Sequence, residues 1–187
     1  MDFRQVVYSR RAVRAFKDSS IDRSTLKTLI DIAIQAPSAV NEQPWSFTVV
    51  QDKALLARIS QQAKAHVLSM PPAGLASSHL QEIAARPDFD VLHGAPVLIV
   101  IASRQGPWAC EDCALAAENL MLAACAEGLG SCWIGFAQGW LSTAEGKAAL
   151  GLPADYEPRA PIIVGYPQAP VPAVPRRQPE VHWLGLF

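Results

Sequence analysis

Pro96–Ser103 (PVLIVIAS) is apolar at almost every position and rich in Val and Ile. A strand of that composition has no face to give to water, so it must lie in a sheet that is covered on both sides. The chain therefore needs helices around one central sheet. Its 187 residues are enough to build that, since a chain of this length buries about 70% of its unfolded surface in a single core. Hydrophobic residues at 50% and charged residues at 18% exclude wholesale disorder. One domain is expected over residues 1–187.

The helices are legible from spacing. After Asp22, Leu26, Leu29, Ile30, Ala33 and Ile34 follow an amphipathic pattern that Pro37 stops. A turn with Asn41 and Pro44 leads to Trp45–Val50, read as a strand, and Lys53 to about Val67 reads as a second helix. Pro71, Pro72, Gly74 and Pro87 break the periodicity of residues 68–94, where a loop-rich excursion is expected. Ala114, Ala117, Leu120, Met121, Ala124 and Cys125 keep helical spacing up to Gly128 and Gly130. Ser131–Phe136 reads as a short strand or extended turn. Ser142-Thr143-Ala144-Glu145 has the form of a capping box opening a helix to Leu150, and Ala160–Tyr166 reads as a strand. About four strands and five helices without strict βαβ alternation give the α+β class.

Beyond Tyr166, prolines at 167, 170, 172, 175 and 179 exclude helix and inner strand. This Pro-rich stretch, about 167–187, is expected to be an extended C-terminal arm. Its apolar Val181, Trp183, Leu184, Leu186 and Phe187 need a surface to pack on, such as that of a partner subunit.

A net charge of −1 offers no global attraction to polyanions, so nucleic acid is not an expected partner. The longest apolar run is far short of the roughly 20 residues of a spanning helix, and Arg4, Arg10 and Arg11 interrupt any secretory segment. No membrane role is expected. Four cysteines without a dense disulfide framework suit a reducing cytoplasm, which is the expected compartment.

Two clusters carry chemistry. Arg10, Arg11 and Arg14 lie within five residues. In an extended segment Arg10 and Arg14 share a side while Arg11 points to the other, so two guanidiniums could converge on one anion, and guanidinium suits phosphate. A solvated surface run is the competing reading. The second cluster is Ala36–Trp45 (APSAVNEQPW), where Asn41 and Gln43 offer donors and acceptors to a planar heterocycle with imide and carbonyl edges.

With these two clusters in order, followed by AAENLMLAACAEGLGSCWIG (116–135), LPADYEPRAPIIVGYP (152–167) and the tail pair Arg176-Arg177, the chain resembles the flavin-dependent nitroreductase family over nearly its whole length. The resemblance implies helices around a central mixed β-sheet, an arm extending over a partner subunit, and a homodimer with FMN at the interface. It places Arg10, Arg11 and Arg14 near the FMN phosphate and ribityl chain, and Asn41 and Gln43 near the isoalloxazine and ribityl hydroxyls. Pro37, Ser38 and Ala39 of the partner subunit would pack near the ring. Trp133, Ile134 and Gly135 match the segment passing flavin N5, and Arg176 and Arg177 match basic residues that bind the phosphate. Ala12 departs from the serine of many members, which removes one hydroxyl contact. The excursion after Val67 is short where larger members cover the substrate.

Cys110-Glu111-Asp112-Cys113 can be a redox pair, half of a zinc site, or structural. Acidic neighbours oppose a thiolate and no spaced ligands complete a metal site, so it is read as structural, and no metal is expected. Cys125 and Cys132 read as small core hydrophobes. No histidine has ligand spacing, although His66 or His79 could line a substrate pocket, and Trp108 is read as core packing. No catalytic side chain is assigned, because flavin N5 would carry the chemistry. The implied function is ping-pong hydride transfer from NADH or NADPH through FMN to a small acceptor such as a nitroaromatic or quinone. The alternatives are a flavin carrier or redox-responsive protein with little turnover, and oxygen-dependent or dehalogenating flavin chemistry.

Overall fold

The computed structural model describes residues 2–70 and 75–185. Pro71, Pro72 and Gly74, read as breakers, and Leu186 and Phe187, read as part of the apolar tail end, lie outside the described residues. The strands are β1 (Trp45–Val50), β2 (Val97–Arg104), β3 (Gly130–Trp133) and β4 (Tyr156–Gly165). They form one sheet in the order β1-β2-β4-β3, and each neighbouring pair is antiparallel. Among the described residues, the parallel pairing that a mixed sheet requires comes only from an isolated bridge between Ala12 and Ser131 beside β3.

Strand β2 is interior, as its composition demands. Val97, Ile99 and Ile101 face one core, with Leu26 and Leu29 of α2 (Arg23–Ala33) and Leu120 of α5 (Ala109–Ala126). Leu98 and Val100 face a second core, with Ile59 of α3 (Lys53–Ser69) and Trp140 of α6 (Gly135–Leu141). All five β2 residues are completely buried, so alternate positions feed two opposite layers. The α2 and α3 helices open where sequence places them: Asp22 accepts from Thr25 N–H and Asp52 from Leu55 N–H.

Several expectations are corrected. The excursion at 68–94 contains the helix α4 (Leu75–Ala85), because one helix of 11 residues fits between Gly74 and Pro87. The helix after Leu141 is α7 (Ala144–Ala149), and its cap is Thr143, whose hydroxyl accepts from Gly146 N–H; the Ser142 hydroxyl instead donates back to Gln138 C=O. The expected capping box is therefore absent, since the N3 position holds Gly146, not Glu145. Strand β4 starts at Tyr156, through Pro158. Proline is tolerated there because β3 pairs β4 only from Ile162 to Gly165, which leaves Pro158 with β2 alone as neighbour. Two short helices were not read from the sequence: α1 (Phe3–Ser9), opened by a capping box between Asp2 and Gln5, and α6. Trp108 is 55% exposed at the start of α5, not packed in the core.

The segment that carries the arginines is fastened to β3 by close packing. Val13 N–H donates to Ser131 C=O at 3.0 Å, and Val13 is buried against Gly130. A Cβ at Gly130 would stand 2.5–2.8 Å from three Val13 side-chain carbons. We expect Gly130→Ala to lower stability by about 1–3 kcal/mol through overpacking, measured as a shift in the urea midpoint. An unchanged midpoint would mean that the Val13 segment moves away from β3 without cost.

Candidate functional site

Arg10 closes α1 as its C-cap, its N–H donating to Val6 C=O and its backbone already extended at φ −56° and ψ 132°. The expected sides are nevertheless not kept. Arg10 and Arg11 both line a cleft of about 270 Å³ with Gly130, Ser131, Pro167 and Val171. Arg14 lines a different cleft of about 290 Å³ with His93, Trp133, Ile134, Gly135 and Phe136. Arg10 and Arg14 thus do not converge on one cleft, and Arg10 and Arg11 do. Arg11 Nη1 donates to the carbonyls of Tyr8 and Arg10 at 2.7 and 2.8 Å, while its Nε is buried with no partner among the described residues. Arg10 Nε lies 3.7 Å from Glu118 Oε1, a loose, partly exposed pair of little energetic weight.

The second cluster is a strained turn. A 3-10 turn, Ala39–Asn41, follows Ser38, and Val40, Asn41 and Gln43 have φ of 43°, 59° and 50°. Left-handed backbone is costly for a β-branched residue, of order 1–3 kcal/mol for such a position, and Val40 is 90% exposed, so its side chain recovers nothing by burial. Ser38 Oγ accepts from Gln43 N–H at 3.0 Å, and Asp112 Oδ1 accepts from Ala39 N–H at 3.0 Å. Gln43 Nε2 donates to Asn41 Oδ1 at 3.2 Å, so the two expected amides do meet, on the exposed side of the turn.

The two clusters stand far apart on one chain. The turn feeds β1 and the arginine segment flanks β3, the two edges of the sheet. Three inter-strand spacings separate those edges, about 14 Å. Pro37, Ser38 and Ala39 sit with the turn against α5, while Trp133, Ile134 and Gly135 sit with Arg14. Gly135 is exposed, with open space where a Cβ would stand. Arg176 and Arg177 lie exposed on the tail and line neither arginine cleft. From Gln168 to Gly185 every residue is exposed.

Two residues near these clusters escaped the sequence reading. Asp112 was read only as an acidic neighbour of the cysteines; its carboxylate is buried beneath the turn. His93 carries a weak signal, the His-Gly pair just before β2. Its backbone has φ 54°, and Asp90 fixes its loop by accepting from Leu92 N–H at 3.0 Å and from Gly94 N–H at 2.5 Å. The two histidines that were considered stand elsewhere: His66 packs against Gly139 of α6, and His79 is exposed beside Glu82. Cys110 is exposed and Cys113 buried, both as free thiols; burial pushes the Cys113 pKa up, and Cys132 likewise. Cys125, expected in the core, is only half-buried, beside the Arg10 cleft. Among the described residues no group of three or more His, Cys, Asp or Glu could hold a metal ion.

Residues 7–166 match the nitroreductase family. The chain belongs to that family. A Methanothermobacter thermautotrophicus protein provisionally named NADH dehydrogenase/NAD(P)H nitroreductase is 27% identical over 173 residues, 89% of this chain and 78% of the relative. An iodotyrosine deiodinase from Thermotoga neapolitana is 28% identical over 177 residues, 93% of each chain. Among solved structures, an FMN-dependent nitroreductase from Clostridium difficile has 26% identity and a TM-score of 0.80, covering 98% of this chain and 99% of its own. This nitroreductase-family chain is thus an oxidoreductase, with an α+β fold shared along its whole length.

The imidazole of His93 has its pKa lowered from the ordinary 6.5, first by burial, then by the Arg14 guanidinium, with Asp90 acting in the opposite sense. The unfolded chain therefore takes up this proton more readily than the native one. The stability that neutral His93 preserves is complete above its ordinary pKa and is lost as pH falls through the native value. Asn tolerates left-handed backbone, so His93→Asn should flatten the drop in urea midpoint between about pH 7 and about pH 5. A variant with the parent's pH profile would remove His93 from the proton linkage.

Proposed function

We propose that this protein is an FMN-dependent NAD(P)H oxidoreductase that works as a homodimer, with each flavin held between two subunits. The observation that carries the reading is the separation of the two clusters. Phosphate-type cations lie at one sheet edge and ring-type amides at the other, so a second copy is needed to bring an arginine edge and an amide turn together. The exposed Phe3, Tyr8 and Leu115, and Val174, Val181 and Leu184 of the tail, give that copy apolar surface to cover.

The residues present fit such a cofactor. Arg11 has a buried Nε without a partner among the described residues, Gly135 leaves open space beside Trp133, and Asn41 and Gln43 expose paired amides. When bound, FMN supplies hydride acceptance from NADH or NADPH at N5 and delivery of reducing equivalents to a small acceptor such as a nitroaromatic or quinone. In this reading Arg10 and Arg11 hold the phosphate and Arg14 lies toward the ring end of the ribityl chain, with Arg176 and Arg177 of the tail adding charge. Asn41 and Gln43 orient the ring by its polar edge, Pro37, Ser38 and Ala39 pack against it from the partner subunit, and Trp133–Gly135 line its other side. The excursion with α4 contributes Ile83 to the Arg14 cleft and so borders the acceptor space. The expected compartment is the cytoplasm.

The purified protein should be yellow and release FMN on denaturation. Arg10→Ala and Arg14→Ala should each weaken FMN by about 1.5–3 kcal/mol, the range for hydrogen bonds to charged groups. Titrations at parental affinity would refute the phosphate and ribityl assignments. Rapid bleaching of the flavin by NADH or NADPH in stopped flow separates turnover from a carrier role, and an iodinated phenol as acceptor tests the dehalogenating alternative.

Sedimentation at low concentration should find a dimer, and truncation after Tyr166 should dissociate it. A flavin-loaded, stable monomer would remove the shared site.

A further inference from the structure

A buried carboxylate lies directly beneath the turn that carries Asn41 and Gln43, and the flavin reading gives it no task. Asp112 is 3% exposed. Its Oδ1 accepts from Ala39 N–H at 3.0 Å, while Oδ2 is buried and has no partner among the described residues. Burying a carboxylate is costly unless its oxygens are satisfied, so a carboxylate with one protein donor calls for a reason lodged in that donor. The position in the first turns of the 18-residue helix α5 eases the burial, because the helix N-terminus favours negative charge.

What the donor belongs to supplies the reason. Val40, Asn41 and Gln43 are three of the four non-glycine residues with positive φ among the described residues. Such conformations persist only where the surroundings over-determine them. Here Ser38 Oγ closes the turn from within by accepting from Gln43 N–H. Asp112 fastens it from outside, across 73 residues of sequence, to a helix that is itself packed into the core under β2. Without the second tie, the turn is free to relax toward right-handed backbone and carry both amides elsewhere.

We propose that Asp112 is the positioning residue of the cofactor turn. By holding Ala39 N–H it keeps the left-handed run that presents Asn41 and Gln43 at the exposed surface. This rests on the reading in which that turn faces FMN. The bond requires an acceptor at Oδ1 and not a charge, so asparagine can replace aspartate in this role while alanine cannot.

The test follows FMN loss from the flavin-loaded protein by equilibrium dialysis with fluorescence readout, together with hydrogen exchange at the Ala39 amide. Three variants are compared: Asp112→Ala, Asp112→Asn and Ala39→Pro. Ala39 starts the 3-10 turn after Ser38 at φ −135° and ψ 154°, a setting that accepts proline, so Ala39→Pro deletes the same bond without touching α5. Asp112→Ala and Ala39→Pro should each weaken FMN at least about tenfold, and Ala39 exchange should accelerate in Asp112→Ala; Asp112→Asn should stay within about threefold of the parent. Parental FMN affinity in Ala39→Pro, or an Asp112→Asn as poor as Asp112→Ala, overturns the inference. If Asp112→Ala does not fold, the other two variants still decide. Asn41→Ala and Gln43→Ala separate this inference from the reading beneath it. If both retain FMN at parental affinity, the turn is no part of the site and the flavin reading of it fails. If they lose FMN while Asp112→Ala and Ala39→Pro keep it, only the positioning role fails.

Discussion

Strand β2 is buried on both faces, and the arrangement of everything else follows from the need to cover it. One layer, α2 and α5, takes Val97, Ile99 and Ile101; the other, α3 and α6, takes Leu98 and Val100. Each fully buried aliphatic side chain contributes about 1.5–3 kcal/mol relative to exposure, so the five β2 positions together anchor both layers. Because α5 is pinned in this way, Asp112 near its start is a fixed point in space, and the turn at 38–43 inherits that rigidity. Because β4 pairs with β2, β3 is held in turn, and with it Val13 and the arginines on either side.

The candidate site is therefore built on rigid elements but split between them. Arg10 and Arg11 face one cleft beside β3, Arg14 faces another with His93 and Trp133, and the amide turn stands beyond the opposite edge of the sheet. The two clusters of this nitroreductase-family chain therefore remain separate on one copy of it. The membership extends from residue 7 to 166, which stops short of the exposed tail.

Legibility in the sequence followed how much of the information was local. The β2 run, the α2 stripe after Asp22 and the helix expected from Lys53 to about Val67 are read from residues that act on their own neighbours, and all three stand where they were expected. Trp108 misled because hydrophobicity says nothing about which wall is present: the residue precedes α5 and stays 55% exposed. Thr143 displaced Ser142 as cap because Ser142 still has helical backbone as the C-cap of α6 (φ −81°, ψ −8°) whereas Thr143 is extended (φ −71°, ψ 163°), a difference that the four-letter pattern cannot show. The chemistry-bearing residues were visible as residue types in motifs, whereas Asp112 was not, since its partner lies 73 positions away and no periodicity links them.

The proline spacing of the tail has a mechanical consequence. A stretch with Pro at 167, 170, 172, 175 and 179 is biased toward polyproline II, rising about 3.1 Å per residue. The 18 residues from Gln168 to Gly185 would then reach about 55 Å, against a radius of gyration near 16 Å for a compact chain of 187 residues. Such an arm acts as a stiff strut that overreaches its own body. Because its backbone is already restricted before it meets anything, docking it on a neighbouring surface forfeits less conformational entropy than docking a glycine-rich tail of equal length.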